Sequence, residues 1–101
     1  MDALQVIAEP RRREILRIVW EEEASAGEIA GRFDISFPAV SQHLGVLRRA
    51  GFVGVRRDGT RRLYLADRER LGELADVLQR MWVGTLDELA VLAEEAEARD
   101  G

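Results

Sequence analysis

The sequence predicts a mainly α-helical domain with a β-hairpin, the winged helix-turn-helix class, in the element order α-α-α-α-β-β-α. Two observations lead to this prediction. A capped helix is followed within a few residues by an amphipathic helix that ends at a glycine, which is the helix-turn-helix arrangement. A hairpin with a basic tip comes directly after that second helix, in the place of a wing. The chain of 101 residues suits a single domain over residues 1–101.

Two helices precede this motif. Residues 2–8 form a two-turn helix with Leu4 and Ile7 on one side. A helix this short is unstable alone in water, so it must dock on something. Pro10 is well placed as the first residue of a second helix, which we expect to extend to about Glu22.

The helix-turn-helix itself has clear start and stop signals. Ser25 and Glu28 have the spacing of a capping box, which predicts a third helix through Phe33. Ser36 is a suitable N-cap for the fourth helix, and Gly51 a suitable left-handed stop. The i, i+4, i+7 spacing predicts that the buried stripe of the fourth helix consists of Val40, Leu44 and Leu47.

The hairpin and a last helix follow. The Asp58-Gly59 pair stands between two β-prone runs, which is a strong hairpin signal. From Asp67, apolar residues in steps of three and four predict one long helix over about 67–98. Gly84 lowers the helix propensity of this segment, so the pattern also allows a break there.

Composition and charge restrict the classes of function. The chain has no cysteine, and no apolar run resembles a signal peptide or a membrane span, so we expect a cytoplasmic protein without a membrane partner. The net charge of −4 argues against binding to nucleic acid, but residues 35–66 contain six arginines and one aspartate. Because a polyanion responds to the local field, this block predicts a nucleic-acid surface.

The outward face of the fourth helix is the first candidate surface. With the apolar stripe turned inward, the residues that point most directly outward are Pro38, Gln42, Gly45 and Arg49, with Ala39 and Ser41 beside them. Small residues let a helix approach the major groove, where glutamine pairs with adenine through two hydrogen bonds. A merely solvated helix face is the alternative.

The hairpin tip is the second candidate surface, because it crowds Arg56, Arg57, Arg61 and Arg62 into a few residues. Like charges that face each other across strands are destabilising, so stability alone does not explain this tip. Phosphate groups would relieve the repulsion. The alternative is a solubilising loop whose arginines pair with acidic groups elsewhere.

The apolar helices at the two ends of the chain predict a homodimer. The last helix has apolar residues beyond a single stripe, and the first helix needs a docking surface. A symmetric dimer satisfies both and places two reading helices about 34–36 Å apart, one turn of DNA. The predicted interface residues are Leu4, Ile7, Leu78, Trp82, Leu86 and Leu89. A larger intramolecular core, or a small-molecule pocket near Trp82, are the alternatives.

No pattern in the sequence indicates catalysis or a metal site. His43 is the only histidine and lies beside the buried stripe, where packing is a simpler explanation than metal ligation. There is no Ser/His/Asp order and no glycine-rich phosphate loop. We therefore expect a protein that is not an enzyme and that uses no cofactor and no metal.

Three stretches resemble the ArsR/SmtB family of bacterial winged-helix repressors, namely AEPRRREILRIV, SAGEIAGRFDISFPAVSQHLGVLRRAGFV and VRRDGTRRLYLA. The resemblance covers about residues 2–80. It implies a homodimer built from the first and last helices, a palindromic operator in double-stranded DNA, and repression relieved by an effector. By the same resemblance, the DNA-binding residues are Ser36, Phe37, Ala39, Ser41, Gln42 and His43 in the reading helix, and Arg57 and Arg61 in the wing.

Two positions depart from the family pattern. Metal-sensing members carry a Cys-x-Cys pair where this sequence has Ser25 and Gly27, and the last helix has no histidine, so the resemblance is to the metal-free members. Phe37 stands where the resemblance leads us to expect an arginine. The missing charge weakens a phosphate contact, whereas an aromatic ring can contact a thymine methyl group.

The sequence therefore predicts a homodimeric, sequence-specific DNA-binding transcriptional repressor. Two other hypotheses stay open. One is a winged helix that binds another protein through its apolar helices, and the other is a repressor that responds to a small-molecule effector bound near the last helix.

Overall fold

The structure is a computed structural model that describes residues 1–84 and 88–100, although the side chains of residues 88–90 and 98–100 are not described. Its elements, in chain order, are α1 (Ala3–Ala8), α2 (Pro10–Ile18), α3 (Ala26–Arg32), α4 (Phe37–Ala50), β1 (Val53–Asp58), β2 (Arg61–Ala66), α5 (Arg68–Leu71), α6 (Glu73–Trp82) and α7 (Glu88–Asp100). The helix-turn-helix and the wing are both present, which confirms the predicted fold class.

Two arginines of α2 hold α1 on the domain. Arg12 donates from Nε to the carbonyl of Val6 at 2.7 Å. Arg13, which is 6% exposed, donates from Nη1 to the carbonyls of Ile7 and Ala8, each at 2.8 Å. The last carbonyls of a helix have no partner within it, so the guanidinium groups satisfy them. The docking that the short first helix requires is therefore met within one chain.

α3 and α4 begin and end at the predicted caps. The Ser25 hydroxyl accepts a hydrogen bond from the Glu28 backbone N–H at 3.2 Å, and the Glu28 carboxylate accepts one from the Ser25 N–H at 3.1 Å. Ser36 caps α4 by accepting from the Ala39 N–H at 3.3 Å, and Gly51 ends it with φ 83°. The predicted inner stripe is buried in full and consists of Val40, Leu44 and Leu47.

The wing is a two-stranded antiparallel hairpin with a two-residue loop, Gly59 and Thr60. Gly59 has φ 66°, the conformation that the first loop residue of a type II′ turn requires. Ala24 forms an isolated antiparallel β-bridge with Tyr64 of β2. Its N–H donates to the Tyr64 carbonyl at 3.0 Å, and its carbonyl accepts from the Tyr64 N–H at 2.8 Å. This bridge connects the wing to the segment just before α3.

The C-terminal segment corrects the prediction of one helix over 67–98. It forms three helices, and the first break is at Gly72, whose φ of 57° and ψ of −128° are accessible to glycine alone. The second break follows Trp82, where α6 ends and Gly84 takes φ 72°. The apolar spacing runs across the first break because it records which residues are buried, and Leu71, Leu74 and Leu78 are all buried on the two sides of Gly72.

α2 also ends before its predicted limit, at Ile18. Continuing it would place the three carboxylates of residues 21–23 at the negative end of the helix dipole, which is unfavourable. The chain turns instead, and the Trp20 ring meets Trp82 edge to face with centroids 4.8 Å apart. The Arg68 guanidinium lies over the Trp20 ring at 5.4 Å. These contacts join the end of α2 to the end of α6.

The hydrophobic core brings together α1, α2, α3, α4 and α6. Its largest fully buried side chains are Ile7, Ile15, Leu16, Ile29, Leu44, Leu47 and Leu78. This core fixes α4 with its outer face free. In the part of the chain that the structure describes, no helix is long and apolar enough to cross a lipid bilayer.

Candidate nucleic-acid interface

The N-terminal half of α4 presents a shallow face of small and polar side chains. Ser41 and Gln42 are exposed, Ala39 is partly buried, and Phe37 is 54% exposed. Ser36 is exposed as well, but its hydroxyl accepts the capping hydrogen bond, so its first role is to start the helix. A face with one large side chain can approach closely to the floor of a groove.

His43 lies one helical turn after Ala39, on the side of α4 toward the start of α2. Its imidazole is partly buried, and its charged neighbours Glu9, Arg11 and Arg12 all belong to the start of α2. Burial holds the pKa of His43 below its ordinary value, and Arg12 lowers this pKa further. The structure therefore places His43 beside the start of α2, at the edge of the face that carries Ala39 and Gln42.

Two of the four wing arginines are paired with carboxylates. Arg56 donates from Nε to both carboxylate oxygens of Glu23, at 3.0 and 2.8 Å, and Arg61 forms an ion pair with Glu28. The hydrogen bond from Arg56 lowers the pKa of Glu23. The pKa of Glu28 is lowered first by the backbone N–H of Ser25 and further by Arg61. These pairs reduce the positive charge on one face of the hairpin.

The other two wing arginines, Arg57 and Arg62, lie directly opposite each other across the strands. Both are exposed, and neither has an acidic partner within residues 1–84. The family resemblance assigns Arg57 and Arg61 to the wing contact and leaves Arg62 out. The structure adds Arg62 through the strand register, because with Gly59 and Thr60 as the loop Arg62 is the residue opposite Arg57. The missed signal is the glycine itself, which fits the first loop position of a II′ turn.

Two clefts join α4 to the wing, and Arg62 borders both. The larger, of about 340 Å³, is lined by Ser25, Ala26, Gly27, Phe37, Ser41, Arg61, Arg62 and Tyr64. The smaller, of about 290 Å³, is lined by Arg48, Val55, Arg56, Arg57 and Arg62. The outer face of α4 and the unpaired arginines thus form one continuous surface, which we call the α4–wing surface. Its concave shape and excess of guanidinium groups suit a polyanion.

The structure divides the residues predicted for a dimer interface. Ile7 and Leu78 are each 0% exposed within a single chain, so their side chains stabilise the protomer. Leu4 and Trp82 are partly buried and keep some free surface. Outside the described residues lie Leu86 and the side chain of Leu89.

The region beside Trp82 forms an open cleft with charged walls. It measures about 330 Å³ and is lined by Arg17, Ile18, Trp20, Glu21, Glu22, Arg32 and Trp82. An apolar small-molecule pocket near Trp82 is one alternative that the sequence leaves open, but four of these seven side chains are charged. Within the described ranges, no group of three or more histidine, aspartate or glutamate side chains is arranged to hold a metal ion.

Comparison with known proteins identifies relatives of this chain. The family model for bacterial regulatory proteins of the arsR family matches residues 9–55. The HTH-type transcriptional regulator Rv2034 of Mycobacterium tuberculosis is 39% identical over 92 residues, which cover 91% of this chain and 86% of the relative. The transcriptional activator HlyU of Vibrio cholerae is 33% identical over 78% of this chain and 73% of its own length.

Solved structures show the same architecture. A structure of HlyU from Vibrio cholerae superposes with a TM-score of 0.70 at 32% identity, over 79% of this chain and 87% of that one. A second match is the solution structure of the homodimeric winged helix-turn-helix DNA-binding domain of Mb0332 from Mycobacterium bovis. It superposes with a TM-score of 0.69 at 28% identity, over 82% of this chain and 77% of that one.

Proposed function

Because this chain belongs to the arsR family of bacterial regulatory proteins, we propose that it is a homodimeric transcriptional repressor that binds a palindromic DNA site without a metal. The observation that carries the proposal is the α4–wing surface, on which Phe37 and Ser41 of α4 share one cleft with Arg62, and Arg62 shares the second cleft with Arg57. On duplex DNA such a helix enters the major groove while the wing contacts the backbone beside it. The protein would act on chromosomal DNA in the cytoplasm.

Base reading falls to Gln42 and Ser41. Both side chains are exposed on the outer face of α4. The glutamine amide has a donor and an acceptor side by side, which match the N7 and N6 positions of adenine. Ala39 is small enough to let the helix approach. His43, held at the α2–α4 contact, has at most a supporting role in orienting this face.

Phosphate binding falls mainly to Arg57 and Arg62. Both are free to turn toward the DNA backbone, and their mutual repulsion in the unbound protein is relieved when phosphates come between them. Arg61, which the family resemblance assigns to the wing contact, must first leave Glu28. Its contribution to affinity is therefore smaller than its position alone suggests.

The homodimer is supported by the dimeric state of the Mb0332 domain and by exposed apolar side chains next to α1 and at the end of α6. Met1 is 78% exposed and Val83 is 71% exposed, next to the partly exposed Leu4 and Trp82. In a two-fold dimer the two copies of α4 enter successive major grooves, about 10 base pairs apart.

Independence of a metal is supported at the start of α3. Metal-sensing members of the family have cysteines at the positions where this chain has Ser25 and Gly27. The Ser25 hydroxyl already accepts the N-cap hydrogen bond from the Glu28 N–H. We expect addition of a chelator, or of zinc, to leave DNA affinity unchanged.

Selection of bound sequences from random duplexes with the purified protein tests the proposal. We expect a palindromic site whose half-sites are centred about one turn of DNA apart. In a second step, Gln42→Ala should relax discrimination at one base pair in each half-site and leave binding to other duplexes unchanged. Equal weakening on every duplex would contradict a base-reading role for Gln42.

Two further outcomes separate this proposal from its competitors. Recovery of no palindromic site at low salt would favour a winged helix that binds another protein. Transcription in vitro from a promoter that overlaps the selected site should decrease when the protein is added. An increase would make this chain an activator, as the relative HlyU is named.

A further inference from the structure

We propose that Phe37 recognises thymine, by placing its ring against the 5-methyl group of one thymine in each half-site. The inference rests on the proposed DNA-binding function and adds to it a specific base and a specific atom. Phe37 is the first residue of α4 and lines the larger cleft of the α4–wing surface.

The fold does not use the Phe37 ring to hold α4 in place. The capping hydrogen bond comes from Ser36, and the buried stripe of the helix consists of Val40, Leu44 and Leu47. The ring is 54% exposed, whereas the ring of Phe52, which follows the end of α4, is 5% exposed. The ring therefore keeps free apolar surface at the cleft between α4 and the wing.

The neighbours of Phe37 indicate what the ring contacts. Ser41 lies four residues further along α4 and so on the same face of the helix, and both residues line the cleft together with Tyr64 of β2. Arg61 and Arg62 border the same cleft. An occupant must therefore combine an apolar group with nearby negative charge.

Among the base edges of the major groove, thymine alone presents an apolar group, its 5-methyl, and every base lies close to phosphates. An aromatic ring beside a hydroxyl and two guanidinium groups is complementary to that arrangement. Because Phe37 and Ser41 are one helical turn apart, the thymine lies within the segment of DNA that Ser41 and Gln42 contact.

The test uses the palindromic site recovered by selection. At each thymine position of a half-site, thymine is replaced by uracil in both halves, which removes the methyl group and keeps every hydrogen bond. We expect one position at which the wild-type protein binds the thymine duplex about fourfold more tightly for each half-site, the effect of about one buried methyl group. Phe37→Ala should bind the two duplexes equally.

Two variants serve as controls. Leu65→Ala removes another apolar side chain, which is 40% exposed on β2 and outside the cleft, and it should keep the preference for thymine over uracil. Phe37→Arg should lose the preference but bind all duplexes more tightly at low salt, because it adds a phosphate contact. Unchanged thermal midpoints would show that the variants are folded.

A selected half-site without thymine, or equal binding of the thymine and uracil duplexes at every position, would overturn the inference while leaving the DNA-binding proposal intact. Recovery of no specific site would overturn both. A preference for thymine that persists in Phe37→Ala would assign the methyl contact to another residue and also contradict the inference.

Discussion

One carboxylate oxygen of Glu28 accepts hydrogen bonds from two directions, from the backbone N–H of Ser25 at 3.1 Å and from the guanidinium of Arg61. The same atom thus completes the capping box of α3 and anchors the wing. The positions of the helix-turn-helix and the wing are coupled through this side chain. The pair also removes one positive charge from the α4–wing surface.

Replacing Glu28 by glutamine separates these two roles. The amide oxygen can still accept from the Ser25 N–H, so the capping box is kept, but the charge that holds Arg61 is lost. We expect Glu28→Gln to bind every duplex more tightly and to discriminate less between sequences. In a salt titration, the slope of log K against log salt should become steeper by about 0.9, the value for one additional phosphate contact.

Glu21→Gln provides the matched control for that experiment. It changes the net charge by the same amount, but Glu21 lies beside Trp82, away from the wing. An equal effect of the two substitutions would show that overall charge, and not release of Arg61, governs the affinity.

Alanine substitution of the wing arginines should lower DNA affinity most where the arginine has no carboxylate partner. We expect Arg57→Ala and Arg62→Ala each to lower affinity for all duplexes and to reduce the salt slope by about 0.9. Arg61→Ala should do less, since Glu28 already neutralises this side chain. Fluorescence anisotropy at several salt concentrations measures all three. If Arg61→Ala had the largest effect, the Glu28 pair would have to open on DNA at little cost.

Arg13 should be essential to stability, because its guanidinium satisfies the carbonyls of Ile7 and Ala8 inside the protein. Arg13→Met keeps the bulk of the side chain but leaves both carbonyls without a donor. We expect the free energy of unfolding in urea to fall by about 2–4 kcal/mol. Arg11→Met, which alters an exposed neighbour in the same helix, should change it by less than about 0.5 kcal/mol.

The lowered pKa of His43 predicts a loss of stability in mild acid. As the pH falls, the unfolded chain binds a proton at His43 before the folded chain does. The stabilising contribution is therefore complete above about pH 6.5 and is lost as the pH falls through the folded pKa. The urea midpoint of the wild type should drop between pH 7.5 and 5.5, and that of His43→Gln should drop less. Glu9 and Glu28, whose pKa values are also lowered, lose their contributions below about pH 4.5, outside this window.

Local interactions explain what the sequence predicted well. The Ser25–Glu28 box, the Ser36 cap and the Gly51 stop all depend on residues within one or two turns of each other, so their spacing along the chain is enough to recognise them. The inner stripe of α4 follows from helical periodicity in the same way.

Features that depend on distant residues were not predictable from local patterns. The run of three arginines at 11–13 gives no sign that two of them bind the carbonyls of α1, because those carbonyls belong to another helix. Pairing of Arg56 and Arg61 with Glu23 and Glu28 depends on how the wing folds back toward α3. The helix break at Gly72 depends on a single backbone conformation that the apolar spacing does not record.

The edge-to-face pair of Trp20 and Trp82 gives the protein a built-in optical reporter. These are the two tryptophans of the chain, and they meet where the end of α2 contacts the end of α6. Intrinsic emission and near-ultraviolet dichroism therefore report whether α6 is seated against α2, while the α4–wing surface contributes no indole to either signal. Docking of α6 against α2 can thus be followed in an unlabelled sample without an indole signal from the reading surface.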